Sequence, residues 1–261
     1  IEEHNIDIIF IQEPYTINGK LVGVPNALKI FTAGRGRSRA AIILNNKKID
    51  ALLINQLTDE DCVVLEINLG NIKMFGASMY FDISRDIEED IAKIEKLQHH
   101  SLGAGLVIAT DTNSRSKVWF DVETNQRGGA LEEFLITSNL YILNNNVNTP
   151  TFETSRGRSW VDLTITNLPL LNLITEWECK EEDNCSDHKN ILFSINTRNQ
   201  SNDEIHYIAL KYIKNHESDQ QFDRAIVRHL TTVFACINNG LNSKEIDDEL
   251  LNIIRNSPDI E

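Results

Sequence analysis

Cysteine is scarce in this chain, and its four residues show no pairing pattern. Cys62, Cys179, Cys185 and Cys236 form no CxxC pair, and no histidine follows them at the spacing of a zinc site. We therefore expect neither a disulfide framework nor a structural zinc site. Such cysteine usage fits an intracellular, reducing setting.

Long hydrophobic runs are also missing. No apolar stretch is long enough to span a bilayer, and the first residues show no signal-peptide pattern, so we expect no membrane partner. The sequence begins with Ile1 instead of methionine, and residues 1–5 look like the end of a helix that leads into a strand. We expect that the beginning of a longer chain is missing.

Positive charge is the third deficit. Lysine and arginine number 25 against 39 acidic residues, which gives a net charge of −14 and argues against holding nucleic acid by bulk electrostatics. A carboxylate cluster that binds a metal would be neutralised locally, however, and one stretch is basic and free of acids. Its basic residues are Lys29, Arg35, Arg37, Arg39, Lys47 and Lys48. An ordinary solvated loop is the alternative interpretation of this stretch.

The chain has 261 residues, and 41% of them are hydrophobic, enough for one main domain with a full core. Short β-branched runs predict strands, and helical spacing predicts helices at 87–97 and 129–137. The predicted strands are 6–11, 40–44, 51–54, 63–67, 72–79, 106–109, 140–143, 161–165 and 191–195. We expect an α/β fold, a four-layered α/β sandwich of two packed, mainly antiparallel sheets flanked by helices, over residues 1–198. A polar linker then leads into a helical C-terminal extension, residues 199–261.

Polar side chains end several of the predicted strands. Carboxylate and amide oxygens with one titratable imidazole are the groups that divalent-metal phosphodiester hydrolysis requires. The motifs are Gln12-Glu13-Pro14, Tyr80-Phe81-Asp82, Asp111-Thr112-Asn113, Ser159-Trp160-Val161-Asp162 and Ser186-Asp187-His188.

Each motif also has a purely structural interpretation. Asp111 and Asn113 project to the same side if the strand continues, but taken alone they are better explained by an Asx-turn that closes the strand. Asp162 alternates with apolar neighbours and is either a partner that orients His188 or a solvent-facing strand residue. Tyr80 either contacts phosphate or covers a core edge.

The order of these motifs resembles the endonuclease/exonuclease/phosphatase superfamily from Ile1 to about Thr197. Residues 12–15, 111–119 and 127–135 are similar to the apurinic-type endonuclease domain of insect non-LTR retrotransposons, and residues 219–224 resemble the link to the reverse transcriptase. The resemblance implies a magnesium-dependent endonuclease, with manganese as a substitute metal and no small-molecule cofactor. It would nick double-stranded DNA in the nucleus and leave a 3′-hydroxyl that primes reverse transcription. The parent polyprotein would carry the reverse transcriptase.

The same resemblance implies roles for individual residues. Glu13 and Asp187 would bind the metal, and Asp111 would handle the proton of the attacking water. Asn113 would position the water or the phosphate, Tyr80 would contact the phosphate, and His188, oriented by Asp162, would stabilise the phosphoryl group. For DNA contact we expect Arg35, Arg37, Arg39 and Arg115.

Two other functions are open. In the family a first strand carries an active-site Asn, and the sequence starts inside or after the helix that follows that strand, so an inactive domain that only binds a nucleic acid or protein partner is the main alternative. A phospholipid phosphoesterase of the same fold is a further one. The retrotransposon-like residues at 111–119 and 127–135 argue against it.

Overall fold

The computed structural model describes residues 5–17, 20–34, 36–145, 148–181 and 186–197. The predicted C-terminal extension, 199–261, and Arg35 lie outside the described residues, and the division into two domains stays a prediction. None of the described helices combines the length and the apolarity needed to cross a membrane.

Short strands make up most of the described secondary structure. In chain order they are β1 (Ile8–Gln12), β2 (Thr16–Ile17), β3 (Lys20–Leu21), β4 (Lys29–Phe31), β5 (Ala40–Leu44), β6 (Asp50–Leu53), β7 (Cys62–Leu69), β8 (Ile72–Tyr80), β9 (Gly105–Asp111), β10 (Leu140–Ile142), β11 (Phe152–Thr154), β12 (Gly157–Ser159), β13 (Asp162–Asn167), β14 (Ile174–Cys179) and β15 (Ile191–Ile195). The helices are α1 (Ile87–Ser101), α2 (Gln126–Thr137) and α3 (Leu168–Leu171), with 3₁₀ turns at Asn55–Leu57 and Lys117–Trp119.

A six-stranded sheet in the order β10-β13-β9-β8-β7-β6 is the centre of the fold. Its neighbours are antiparallel except β8 and β9, which α1 connects as a parallel crossover. β7 and β8 form a tight hairpin because Gly70, at φ +66°, takes the left-handed conformation that the turn needs. Smaller sheets, β1-β5-β4 and β14-β15, make up the second layer of strands.

Alternate residues of the central strands supply two apolar cores. On β9, Leu106 and Ile108 pack into a core that also contains Ile94 of α1 and Leu131 of α2. Val107, between them, packs instead into a second core with residues of β4, β5 and α3. Because both faces of the six-stranded sheet are covered, β8 is buried from Met74 to Met79 and reads as a continuous apolar run.

The predicted fold class is confirmed: the domain is a layered α/β sandwich with mainly antiparallel sheets and few helices. α1 begins where its Asp86 side chain accepts a hydrogen bond from the backbone N–H of Glu88. It extends to Ser101, four residues beyond the predicted end. Strands β2, β3, β4, β11, β12 and β14 and the short α3 were not predicted.

Candidate active site

Two buried carboxylates face each other where β9 ends and β13 begins. Asp111 and Asp162 are register partners of this antiparallel pair, and only 3% and 7% of their surfaces are exposed. Asp162 is therefore not the solvent-facing strand residue that the sequence allowed. Two acids so close in a buried setting repel each other, and the arrangement favours a cation or a shared proton beside them.

His188 supplies that partner. Its Nδ1 atom lies 3.0 Å from both carboxylate oxygens of Asp162, and its Nε2 atom lies 4.0 Å from Oδ2 of Asp111. The ring also packs on Phe152 at 4.8 Å between centroids, and the two residues form an isolated β-bridge. Asp162 is thereby placed to fix the orientation of the imidazole and to leave Nε2 directed toward Asp111.

The pKa values of the pair follow from this geometry. Burial raises the pKa of Asp111 well above its usual range, and the charges of Asp162 and Glu13 raise it further, although His188 opposes them. Burial alone would lower the pKa of His188, but the hydrogen bond and charge of Asp162, with the charges of Asp111 and Glu13, raise it to about 9. His188 is therefore a cation at neutral pH.

Replacing Asp162 with Asn is expected to lower the pKa of His188 toward its ordinary value of about 6.5, because the main stabiliser of the imidazolium is lost. NMR titration of the imidazole in metal-free protein measures this. The pKa of folded His188 lies above that of the unfolded chain. The stability that the pair contributes is thus full below about pH 6.5 and is lost as the pH rises through about 9.

The control for this titration is Asp187→Asn, which removes the neighbouring exposed carboxylate and leaves the pair of Asp162 and His188 in place. The pKa of His188 is expected to stay near 9 in this variant. An unchanged pKa in Asp162→Asn would contradict the assigned hydrogen bond.

The strand geometry does not continue from Asp111 to Asn113. β9 ends at Asp111, and Asn113 is left-handed, with φ +46°. The backbone N–H of Asn113 donates to Oδ1 of Asp111 at 3.1 Å, the Asx-turn that the sequence offered as an alternative. Its side-chain amide donates to the carbonyl of Phe81 at 3.0 Å and also hydrogen-bonds Tyr80. Asn113 and Tyr80 therefore lie beside Asp111, although by a turn and not by strand alternation.

The two predicted metal ligands have different surroundings. Glu13 follows β1 in a left-handed conformation, φ +47°, and its exposed side chain lies near enough for its charge to act on Asp111, Tyr80 and His188. Asp187 is also exposed, and its backbone carbonyl accepts a hydrogen bond from Glu153 at 2.9 Å. Asp111, Asp162 and His188 themselves bring ligand atoms within 4.8 Å of one another, so this cluster could hold a metal ion.

A groove of about 1270 Å³ between β1 and β15 opens onto these residues. Glu13, Asp111, Asp162 and His188 line it together with apolar side chains of both strands. At its floor, the Gln12 side chain donates to Ser78 and to the carbonyl of Ala109. The acidic cluster is therefore accessible to a ligand larger than water.

The predicted DNA-binding arginines are not equivalent. Arg37 is exposed, whereas Arg39 is held by Asp61 and Asp82 and is only 18% exposed. Arg115 lies 3.6 Å from Glu123 and 4.0 Å from Asp121. The hairpin of β11 and β12, which carries exposed Arg156 and Arg158, was not predicted from the sequence. The Ser155-Arg156-Gly157 turn was the available signal.

A family model described as endonuclease-reverse transcriptase matches residues 74–192, which include Tyr80, Asp111, Asp162 and His188. Among solved structures, the endonuclease domain of TRAS1, a telomere-specific non-LTR retrotransposon, is 28% identical. Its TM-score is 0.67, with 76% of this chain and 90% of that one covered. Together with the fold, these similarities support an endonuclease domain of the non-LTR retrotransposon type within the endonuclease/exonuclease/phosphatase superfamily. The predicted resemblance to a non-LTR retrotransposon endonuclease domain is thus confirmed, whereas the resemblance at residues 219–224 lies outside the described residues.

Further similarities fit this endonuclease domain. A retrovirus-related Pol polyprotein from a type-1 retrotransposable element R1 of Bradysia coprophila is 24% identical over 190 residues, 69% of this chain. The chain spans about a fifth of the length of that curated relative, 19%. The AP endonuclease LMAP from Leishmania major shares the fold, at 12% identity and a TM-score of 0.60, with 76% of this chain and 80% of that one covered.

Proposed function

We propose that the endonuclease domain nicks one strand of double-stranded DNA by metal-dependent phosphodiester hydrolysis and leaves a 3′-hydroxyl. The observation that carries the proposal is the cluster of Asp111, Asp162 and His188 at the mouth of an open groove. The attack of water on a phosphodiester needs a base to take the proton of the water and a positive charge to stabilise the phosphoryl oxygens, and Asp111 and His188 lie side by side to supply them.

Asp111 is the proposed general base. Its buried position raises its pKa toward neutrality, so that it binds a proton more readily than an exposed carboxylate does. Asn113, tied to Asp111 through its backbone N–H, is placed to hold the water or a phosphate oxygen. Tyr80, half-buried at the end of β8 and hydrogen-bonded by Asn113, is the proposed phosphate contact.

His188 is the proposed stabiliser of the negative charge that develops on the phosphoryl oxygens. The Nδ1 atom of His188 hydrogen-bonds Asp162, and Nε2 lies on the side of Asp111, from which we assign it to donate to a phosphoryl oxygen. Because the pair keeps the imidazole protonated up to about pH 9, this donor is present at physiological pH. Asp162 acts by keeping the ring in one orientation.

The residues present fit a divalent cation. The charges of Asp162 and Glu13 raise the pKa of Asp111, and the three carboxylates together raise the pKa of His188. A hard cation on oxygen ligands would offset this concentration of negative charge. We assign Glu13 and Asp187 to hold Mg²⁺, or Mn²⁺ in its place. When bound, the metal neutralises phosphate charge and makes water more acidic. Both oxygens of Asp162 already lie 3.0 Å from Nδ1 of His188. We therefore assign Asp162 and His188 to hydrogen-bond each other and not to bind the metal.

In the parent polyprotein, the 3′-hydroxyl would prime reverse transcription of the element's RNA, and the site of action would be nuclear DNA. The ends of the nick test the reaction. After incubation of supercoiled plasmid with protein and Mg²⁺, DNA ligase is expected to reseal the nicks without prior end repair. Nicks that DNA polymerase extends only after phosphatase treatment would carry a 3′-phosphate and would contradict the proposed bond cleavage.

The hairpin of β11 and β12 is the proposed phosphate-backbone contact beside the site. Phe152 of this hairpin touches His188, so Arg156 and Arg158 lie on an element that packs directly against the proposed site. Replacing both with alanine is expected to weaken DNA binding at all sequences and to reduce the salt slope of log K by about 2. Binding titrations of a labelled duplex at several salt concentrations measure this.

The matched control is Lys96→Ala, an exposed basic residue of α1. It is expected to leave the affinity and the salt slope unchanged. Equal losses in the control and in the hairpin variant would show that only the overall charge matters.

A further inference from the structure

Arg39 lies immediately before β5, where its side chain enters a partly buried ionic network. Its Nε and Nη2 atoms donate to the two carboxylate oxygens of Asp61 at 2.5 and 2.8 Å, and Nη1 donates to Asp82 at 2.6 Å. Asp61 is 2% exposed. These contacts occupy the guanidinium, so its expected role in binding DNA phosphate gives way to an internal one.

The same guanidinium lies over the ring of Tyr80, with Cζ 4.9 Å from the ring centroid. Asp61 supports the tyrosine as well, since its backbone carbonyl accepts the N–H of Tyr80 at 2.8 Å. On its other side, the hydroxyl of Tyr80 meets Asn113. The Tyr80 ring is thus contacted by the Arg39 guanidinium and by Asn113 of the proposed active site.

The backbone of Arg39 contacts the site by a second route. Its carbonyl accepts the N–H of Glu13 at 2.8 Å. Glu13 is a non-glycine residue at φ +47°, a conformation that costs energy unless the surroundings hold it. One residue therefore contacts both Glu13 and Tyr80, although neither is its neighbour in the sequence.

We propose that Arg39 is a positioning residue of the endonuclease site, which holds the Tyr80 ring through its guanidinium plane and Glu13 through its backbone carbonyl. The inference rests on the proposed function. It requires arginine and not merely a positive charge, because a lysine ammonium neither stacks as a plane nor donates a two-pronged pair to Asp61.

The test compares Arg39→Lys with Arg85→Met. Arg85 donates to the same Asp61 oxygen at 2.7 Å and is therefore a matched control for loss of an ion pair without loss of the contact to the Tyr80 ring. Arg39→Lys is expected to lower kcat for plasmid nicking about 10- to 100-fold with little change in KM. Arg85→Met is expected to lower kcat less than Arg39→Lys does.

A double-mutant cycle with Tyr80→Phe separates positioning from general stabilisation. Arg39→Lys is expected to change kcat little when Tyr80 is already Phe, because both substitutions act on the same contact, that of the Tyr80 hydroxyl with the phosphate. The inference would be overturned if the fold-loss in kcat of the double mutant equalled the product of the losses of the two single mutants. Equal losses in kcat for Arg39→Lys and Arg85→Met would also overturn it.

A readout without activity keeps the inference testable if the domain proves inactive. In protein labelled with 3-fluorotyrosine, the Tyr80 signal is assigned by its loss in Tyr80→Phe. Arg39→Lys is expected to shift that ¹⁹F signal, and Arg85→Met is expected to leave it in place. A Tyr80 signal unmoved by Arg39→Lys would refute the positioning role, whereas a shifted signal without nicking would refute the proposed function alone.

Discussion

Replacing Asp111 with Asn is expected to slow DNA nicking by about 10³-fold, the loss typical when a general base is removed. The same change is expected to leave the free energy of unfolding unchanged or higher in metal-free protein. Asp111 is 3% exposed, and burial together with the charge of Asp162 disfavours its ionised form in the fold. A substitution that lowers activity without lowering stability indicates that the carboxylate serves catalysis and not folding.

The matched control for this prediction is Asp90→Asn. Asp90 is a buried carboxylate of α1, 1% exposed, and burial raises its pKa to about 6. Its nearest charged partner is Lys93, at 3.8 Å, and it is not a member of the cluster of Asp111, Asp162 and His188, so nicking is expected to stay at the wild-type rate. Single-turnover nicking with Mg²⁺ measures the activity, and urea unfolding in EDTA measures the stability of the metal-free protein. Full activity in Asp111→Asn would remove this residue from the mechanism.

Replacing Gly128 with Ala is expected to destabilise the domain by about 3 kcal/mol, at the upper end of the usual cost of overpacking. An added Cβ would lie 1.8 Å from the carbonyl oxygen of Arg115. The backbone N–H of Gly128 donates to Oδ1 of Asn125, which also accepts the N–H of Arg115. Moving α2 away would therefore break the hydrogen bonds that tie it to the loop after β9.

The neighbouring glycine is the matched control. A Cβ on Gly129 would meet only a methyl group of Thr124 at 4.0 Å. Gly129→Ala is therefore expected to stabilise the helix by roughly 0.5–1 kcal/mol. Thermal unfolding should separate the two variants, with Tm lowered by roughly 6–12 °C for Gly128→Ala. Similar Tm values would contradict the close approach of α2 to the loop.

The elements that could be predicted from the sequence are those with a strong local pattern of apolar residues. β5 and β15 have the predicted bounds, because each is a short run dominated by β-branched or large apolar side chains. β14 was missed, since Glu176 and Glu178 break up its apolar residues and its pairing with β15 shifts register between Thr175 and Glu178. The hairpin of β11 and β12 was missed because its strands have only three residues each.

The site divides in the same way. The strand-end positions of Asp111, Asp162 and Tyr80 followed from the apolar runs that precede or follow them. The partners of Arg39 could not be predicted, because Asp61 and Asp82 lie 22 and 43 residues further along the chain and meet it only in the folded sheet. Charge alone made Arg39 look like a free surface cation.

The most direct test of the central claim is nicking of supercoiled plasmid by the purified chain, with Mg²⁺, with Mn²⁺ and with EDTA. The comparison is an Asp187→Ala/His188→Ala double mutant whose fold is verified by circular dichroism. We predict nicking with either metal, none in EDTA, and loss of activity in the double mutant. Absence of nicking by a demonstrably folded wild-type chain, or equal nicking by the double mutant, would contradict the account, and the first result would favour a domain that only binds its partner.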